Sequence, residues 1–186
     1  MKKILSMILF LAMLFGCAAA TAETEKEYIT SLDVNGVFEL RGTLPAGYRL
    51  EEVVDTDSIR IVNITAGEDR PLMVMSIAFD ELYADVGRLN DLDPESKKVL
   101  EESFKEEETV EISYTVTDYG TELITVREAE GAADFVSFFT IYKGYEIEFT
   151  LVAPQNESGE GSQGLTEDQI RMTVQFISDL DFVSAD

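Results

Sequence analysis

Carboxylates are the only abundant reactive side chains in this chain, with 37 Asp and Glu against 14 Lys and Arg, no His, no Trp and one Cys. Asp91 with Asp93 and Glu95, and Asp55 with Asp57, have the oxygen density that calcium uses, which takes about 6–8 such ligands. Neither group carries the glycine, the spacing or the terminal bidentate Glu of an EF-hand loop. Each also reads as a helix cap or a solvated turn. Glycoside hydrolysis needs two carboxylates roughly 5–9 Å apart in a cleft, and nothing in the order of residues isolates such a pair. Ser and Thr become nucleophiles only beside an activating base, and the chain has neither S-x-x-K nor G-x-S-x-G. Missing His removes the usual neutral-pH acid and base and the Ser-His-Asp triad; with one Cys it also excludes Cys/His zinc sites. No glycine-rich phosphate loop is present. The residues therefore single out no catalytic group, no cofactor-binding group and no metal ligand, and no cofactor is expected.

The formal net charge of −23 restricts the partners. Proteins grip phosphate backbones through Lys and Arg, so this field argues against nucleic acid. The partner it favours is a cationic protein or peptide, or a metal-ion-bridged surface. At 45% hydrophobic residues the chain still has enough apolar material for a core, so acidity does not imply disorder.

Residues 1–22 read as an export signal. Lys2 and Lys3 form the positive start, and Ile4 to Phe15 is an apolar run interrupted only by Ser6. That run is shorter than the ~20 residues a membrane-spanning helix needs and sits where a removable segment belongs. Two processing sites compete. Leu14-Phe15-Gly16-Cys17 resembles a bacterial lipobox and would make Cys17 the lipidated first residue, with Phe15 bulky for its place. Ala20-Thr21-Ala22, followed by Glu23, is a small-x-small site well placed after the apolar run, and is slightly favoured. The only membrane contact expected is thus a lipid on Cys17, on an extracellular or periplasmic protein. Either cut removes just two lysines and leaves a net charge of −25. With one Cys, no intramolecular disulfide can form.

The elements follow from punctuation and period. Residues 23–35 are polar and read as a tether, and a single domain is expected over 36–186. Val37 to Leu40 reads as a strand and Leu44-Pro45-Ala46-Gly47 as a turn. Tyr48–Asp55 and Ser58–Thr65 read as a strand pair, and Leu72–Phe79 as a central strand covered on both faces. Asp93-Pro94-Glu95 starts a helix that carries Leu100 and Phe104 and frays by Glu106. Val110, Ile112, Tyr114 and Val116 alternate with polar residues, the pattern of a half-buried strand. Lys143-Gly144 joins the two arms of the most apolar hairpin, which should lie inside the sheet. Thr166 and Gln169 form a capping box, after which Ile170, Val174, Ile177 and Leu180 recur at helical spacing.

This layout, with Phe38 before Leu44-Pro45-Ala46-Gly47-Tyr48, a middle helix, the Lys143-Gly144-Tyr145 hairpin and a last helix running into Ser178-Asp179-Leu180-Asp181-Phe182, resembles the PsbP-like fold. That fold is shared by the extrinsic PsbP protein of photosystem II, a yeast Ran-binding protein and many small exported bacterial proteins. The resemblance spans roughly Gly36 to Val183 and carries no catalytic residue with it. It implies an α+β domain, an antiparallel sheet sandwiched between the middle and C-terminal helices, used as a binding or assembly module. It implies neither photosynthesis nor Ran binding. The acidity departs from the pattern and leaves the partner class open. The functional expectation is a non-enzymatic exported module; the competing one is a carboxylate-based enzyme or a cation-binding surface protein.

Overall fold

The computed structural model describes residues 28–56, 58–67, 69–105, 110–128, 134–155 and 162–185. The segment expected to be an export signal, residues 1–22, and with it Cys17 and Ala22, lies outside the described residues. The rest is an α+β arrangement of antiparallel strands and two α-helices among the described residues.

β1 (Tyr28–Val34), β2 (Phe38–Thr43) and β10 (Asp181–Ser184) form a small sheet in the order β1-β2-β10. The large sheet contains β3 (Arg49–Asp55), β4 (Ile59–Thr65), β5 (Leu72–Phe79), β6 (Val110–Val116), β7 (Glu122–Glu128), β8 (Phe135–Tyr142) and β9 (Tyr145–Val152). Its order is β3-β4-β5-β9-β8-β7-β6, which puts the apolar β8–β9 hairpin inside it, as expected. β5 is central too, paired along its whole length with β9 and from Met73 to Ala78 with β4.

The tether expected up to residue 35 is corrected, because the chain enters the small sheet at Tyr28. A strand with one wet face needs an apolar residue only at alternate positions, here Val34, buried, and Leu32, packed against the core. Its overall polarity hid it. Asn35-Gly36, with φ of 52° and 67°, supplies the left-handed turn that returns it to β2.

Alternation along β8 divides the core. Phe138 joins Phe38 and Leu40 of β2, Met75 and Ile77 of β5, and Phe149 of β9 in the larger cluster. Its neighbour Phe139, pointing to the other face, joins Ile124, Val126 and Ile141 in the smaller one. Helix α1 (Pro94–Phe104) gives Leu100 and Phe104 to the smaller cluster; helix α2 (Glu167–Ser178) gives Phe176 and Ile177 to the larger. α1 has the expected Asp93 cap and Pro94 start, and α2 the expected capping box. The buried centre of α2 is Thr173, Phe176 and Ile177, whereas Ile170 and Val174 only flank it. Thr173 tolerates that burial because its hydroxyl donates to the Gln169 carbonyl at 3.1 Å.

The half-burial expected of β6 holds for Val110 and Ile112, which pack on the smaller cluster, and fails at Tyr114 and Val116. β6 ends the large sheet, with β7 its one neighbour among the described strands, so part of its apolar face projects into solvent.

Candidate functional site

Of the carboxylates weighed as calcium ligands, Asp91, Asp93 and Asp55 are engaged locally. Asp93 Oδ1 accepts from the Glu95 and Ser96 amides at 2.9 and 3.0 Å, and Oδ2 accepts from the Ser96 hydroxyl at 2.7 Å. Those Ser96 bonds hold the Asp93 carboxyl below its ordinary range. Asp91 Oδ2 accepts from the Arg88 amide at 2.8 Å, and Asp55 pairs with Arg60 at 2.9 Å. Asp57 lies outside the described residues. No group of three or more Asp, Glu or Cys among the described residues is placed to hold a metal ion.

The distinctive carboxylates are Glu146 and Glu148, two residues apart on β9 and therefore on one face of the sheet's interior. Register sets their surroundings. Glu146 lies between Ala78 of β5 and Ile141 of β8, and Glu148 between Ser76 and Phe139. Glu148 accepts from the Thr150 hydroxyl at 3.3 Å, and Thr150 shares a buried hydrogen bond with Ser137 at 3.1 Å. Burial raises the Glu148 carboxyl, with the hydroxyls of Ser137 and Thr150 opposing the rise. Glu146 is less supported: its Oε1 is buried with no hydrogen-bond partner. Burial, and then the negative charges of Asp80 and Glu148, push its carboxyl up to about 7.

A strap of chain closes over this end of the sheet. The turn Lys143-Gly144 has φ of 50° and 80°, and its two amides donate to the carbonyls of Gly87 and Val86 at 2.8 and 3.0 Å. The Asp80 amide in turn donates to the Gly144 carbonyl at 3.1 Å. Asp80 and Tyr83 thereby come beside Glu146. The Tyr83 hydroxyl is raised first by burial and then by the charges of Glu146 and Asp80. A carboxyl poised near neutrality next to a second, shielded carboxyl can hold or release a proton under ordinary conditions.

The sequence does contain a trace of this pair. Tyr145-Glu146-Ile147-Glu148-Phe149 places acids at alternate positions of a strand that otherwise reads as interior, which is unusual for residues so rarely buried. The apolar half of the alternation, Tyr145, Ile147 and Phe149, is the stronger signal and masks it. Elsewhere, Val34, Asn35, Arg60, Ile77 and Tyr145 help line a cleft with room for about one water molecule, too small for an organic ligand. No protein-family model matches the chain, and no curated protein matches its sequence.

Proposed function

We propose that the chain is an exported bacterial binding or assembly module without catalytic activity, built as a PsbP-like α/β/α sandwich and directed to a cationic protein or peptide. The observation that carries the reading is the distribution of charge. The acids outnumber the bases 37 to 14, yet the described residues still build a two-cluster apolar core. Such a surface attracts cationic partners over a Debye length. The layering draws support from Phe138 and Phe139, which lead to the clusters of α2 and α1 respectively. Export and the choice between Cys17 lipidation and cleavage after Ala22 rest on the leader alone.

Cross-linking in the expressing cell, followed by binding at graded salt, tests the proposal. A cationic partner whose affinity falls as salt rises is expected; affinity that stays level or rises would defeat it. The mass of the mature N-terminus separates a lipidated Cys17 from a free Glu23.

The Glu146–Glu148 pair favours a second reading, a carboxylate-based enzyme. Hydrolysis of a glycoside panel that disappears in both Glu146→Gln and Glu148→Gln would support it. Hydrolysis that survives the double substitution would remove it.

A further inference from the structure

Among the described residues, only half of the sheet face that carries Glu146 has a helix over it. α1 and the strap pack on the half built by β6, β7 and β8, while α2 joins the larger cluster on the opposite face. The other half belongs to β4, β5 and β9. Pairing sets Ile61, Ser76 and Glu148 in one row of it and Asn63, Val74 and Thr150 in the next, with Ala78 beside Glu146. Ile61 and Val74 are 7% and 4% exposed, yet they belong to neither core cluster. Asn63, 8% exposed, has a buried Oδ1 without a hydrogen-bond partner. Glu146 Oε1 is a second such atom, and both lie on this half-face. The surface therefore calls for a cover with apolar side chains for Ile61 and Val74, and with donors or positive charge for two orphaned acceptors.

The chain holds one segment of that composition. The internal stretches outside the described residues, 106–109, 129–133 and 156–161, are short and carry Glu with no Lys or Arg. Residues 1–22 carry Lys2, Lys3 and the apolar run Ile4 to Phe15, and no acid. Size agrees with composition. As a helix that run would be about 18 Å long and about 10–12 Å across. Glu146 to Thr150 measures about 13 Å along the strand, and β4 to β9 about 10 Å across the sheet. Residues 16–27 reach up to about 40 Å when extended, enough to pass around the edge strand β3 and enter β1 at Tyr28.

We propose that residues 1–22, while attached, dock as a helix on the β4–β5–β9 half-face, with Lys2 and Lys3 toward Glu146 and Glu148 and the apolar run over Ile61 and Val74. The docked leader brings positive charge to two carboxylates of like sign and keeps this acidic and apolar face closed. Its removal opens the face. That last step rests on the export reading; the docking does not.

The full chain, synthesised without membranes so that the leader stays on, tests the docking. With Cys17→Ser and Ser76→Cys the chain has a single thiol, placed between Ile61 and Glu148. Its modification by iodoacetamide should be at least tenfold faster once Lys2→Glu, Lys3→Glu and Ile8→Glu are added to the leader. In the otherwise unaltered chain, a zero-length carbodiimide should join Lys2 or Lys3 to Glu146 or Glu148 within one molecule, as read by peptide mapping. Glu146→Gln with Glu148→Gln should abolish those links. Equal thiol reactivity with either leader overturns the proposal. So do links from Lys2 and Lys3 that go to other acids or that join two chains. A leader that is never cleaved in the cell would count against the export reading alone.

Discussion

Glu146 shows how one side chain can be held in an unfavourable state by position alone. Its strand neighbours are core residues, its partners across the sheet are Ala78 and Ile141, and the nearest named charges, Asp80 and Glu148, share its sign. The carboxyl rises to about 7 from an ordinary 4.5. A raised acid stabilises the fold below the unfolded value, and that contribution is lost as pH climbs from about 4.5 through 7. Glu146→Gln, which removes the charge and keeps the shape, should therefore stabilise the protein above neutrality. Allowing for screening of a half-buried group, the gain should be roughly 1–2 kcal/mol at pH 8 and vanish by pH 4. Urea unfolding of both proteins at the two pH values measures it. An equal gain at pH 4 would point to packing as the cause.

At the scale of elements, turns and caps carried much of the legible information. Pro94 after Asp93, Thr166 with Gln169, and Lys143-Gly144 each specify one local geometry, and each lies where its residues predict. β1 escaped because an edge strand buries little, and the exposure of β6 escaped because alternation says which residues share a face, not whether anything covers it. Glu146 and Glu148 were legible only as an anomaly, since their neighbours Asp80 and Tyr83 arrive from another segment. The hairpin tip offers a sharp comparison. A Cβ on Gly144, where φ is +80°, would lie 3.0 Å from Phe79 Cε2 and 3.2 Å from Ala84 Cα. One on Gly36, where φ is +67°, would meet nothing within 4 Å. Both Gly→Ala changes bear left-handed strain of about 1 kcal/mol. Gly144→Ala should cost roughly 1–2 kcal/mol more, because the strap from Asp80 to Asp91 must also move. Denaturant midpoints of the two variants decide this.

For the molecule as a whole, Phe38 links the small sheet to the large one. It is fully buried, with ring centroids 5.0 Å from Tyr142, 5.5 Å from Tyr145 and 6.3 Å from Phe182. Phe38→Ala should cost about 3–5 kcal/mol and loosen both sheets together, visible as a single shifted thermal transition. Charge acts at the same scale. The described ion pairs are mostly exposed and contribute little, whereas self-repulsion at −23 is general. Raising sodium chloride from about 0.05 to 0.5 M should thus raise Tm by a few degrees; a fall would give the ion pairs the larger role. The small sheet has β2 as its middle strand, with a strand from near the start of the chain on one side and one from its end on the other. Its closure joins Phe38 to Ser184 and so spans nearly the whole sequence. Strand pairing at that sequence separation carries a large loop-closure cost, so the small sheet should form late, after the hairpins of the large one.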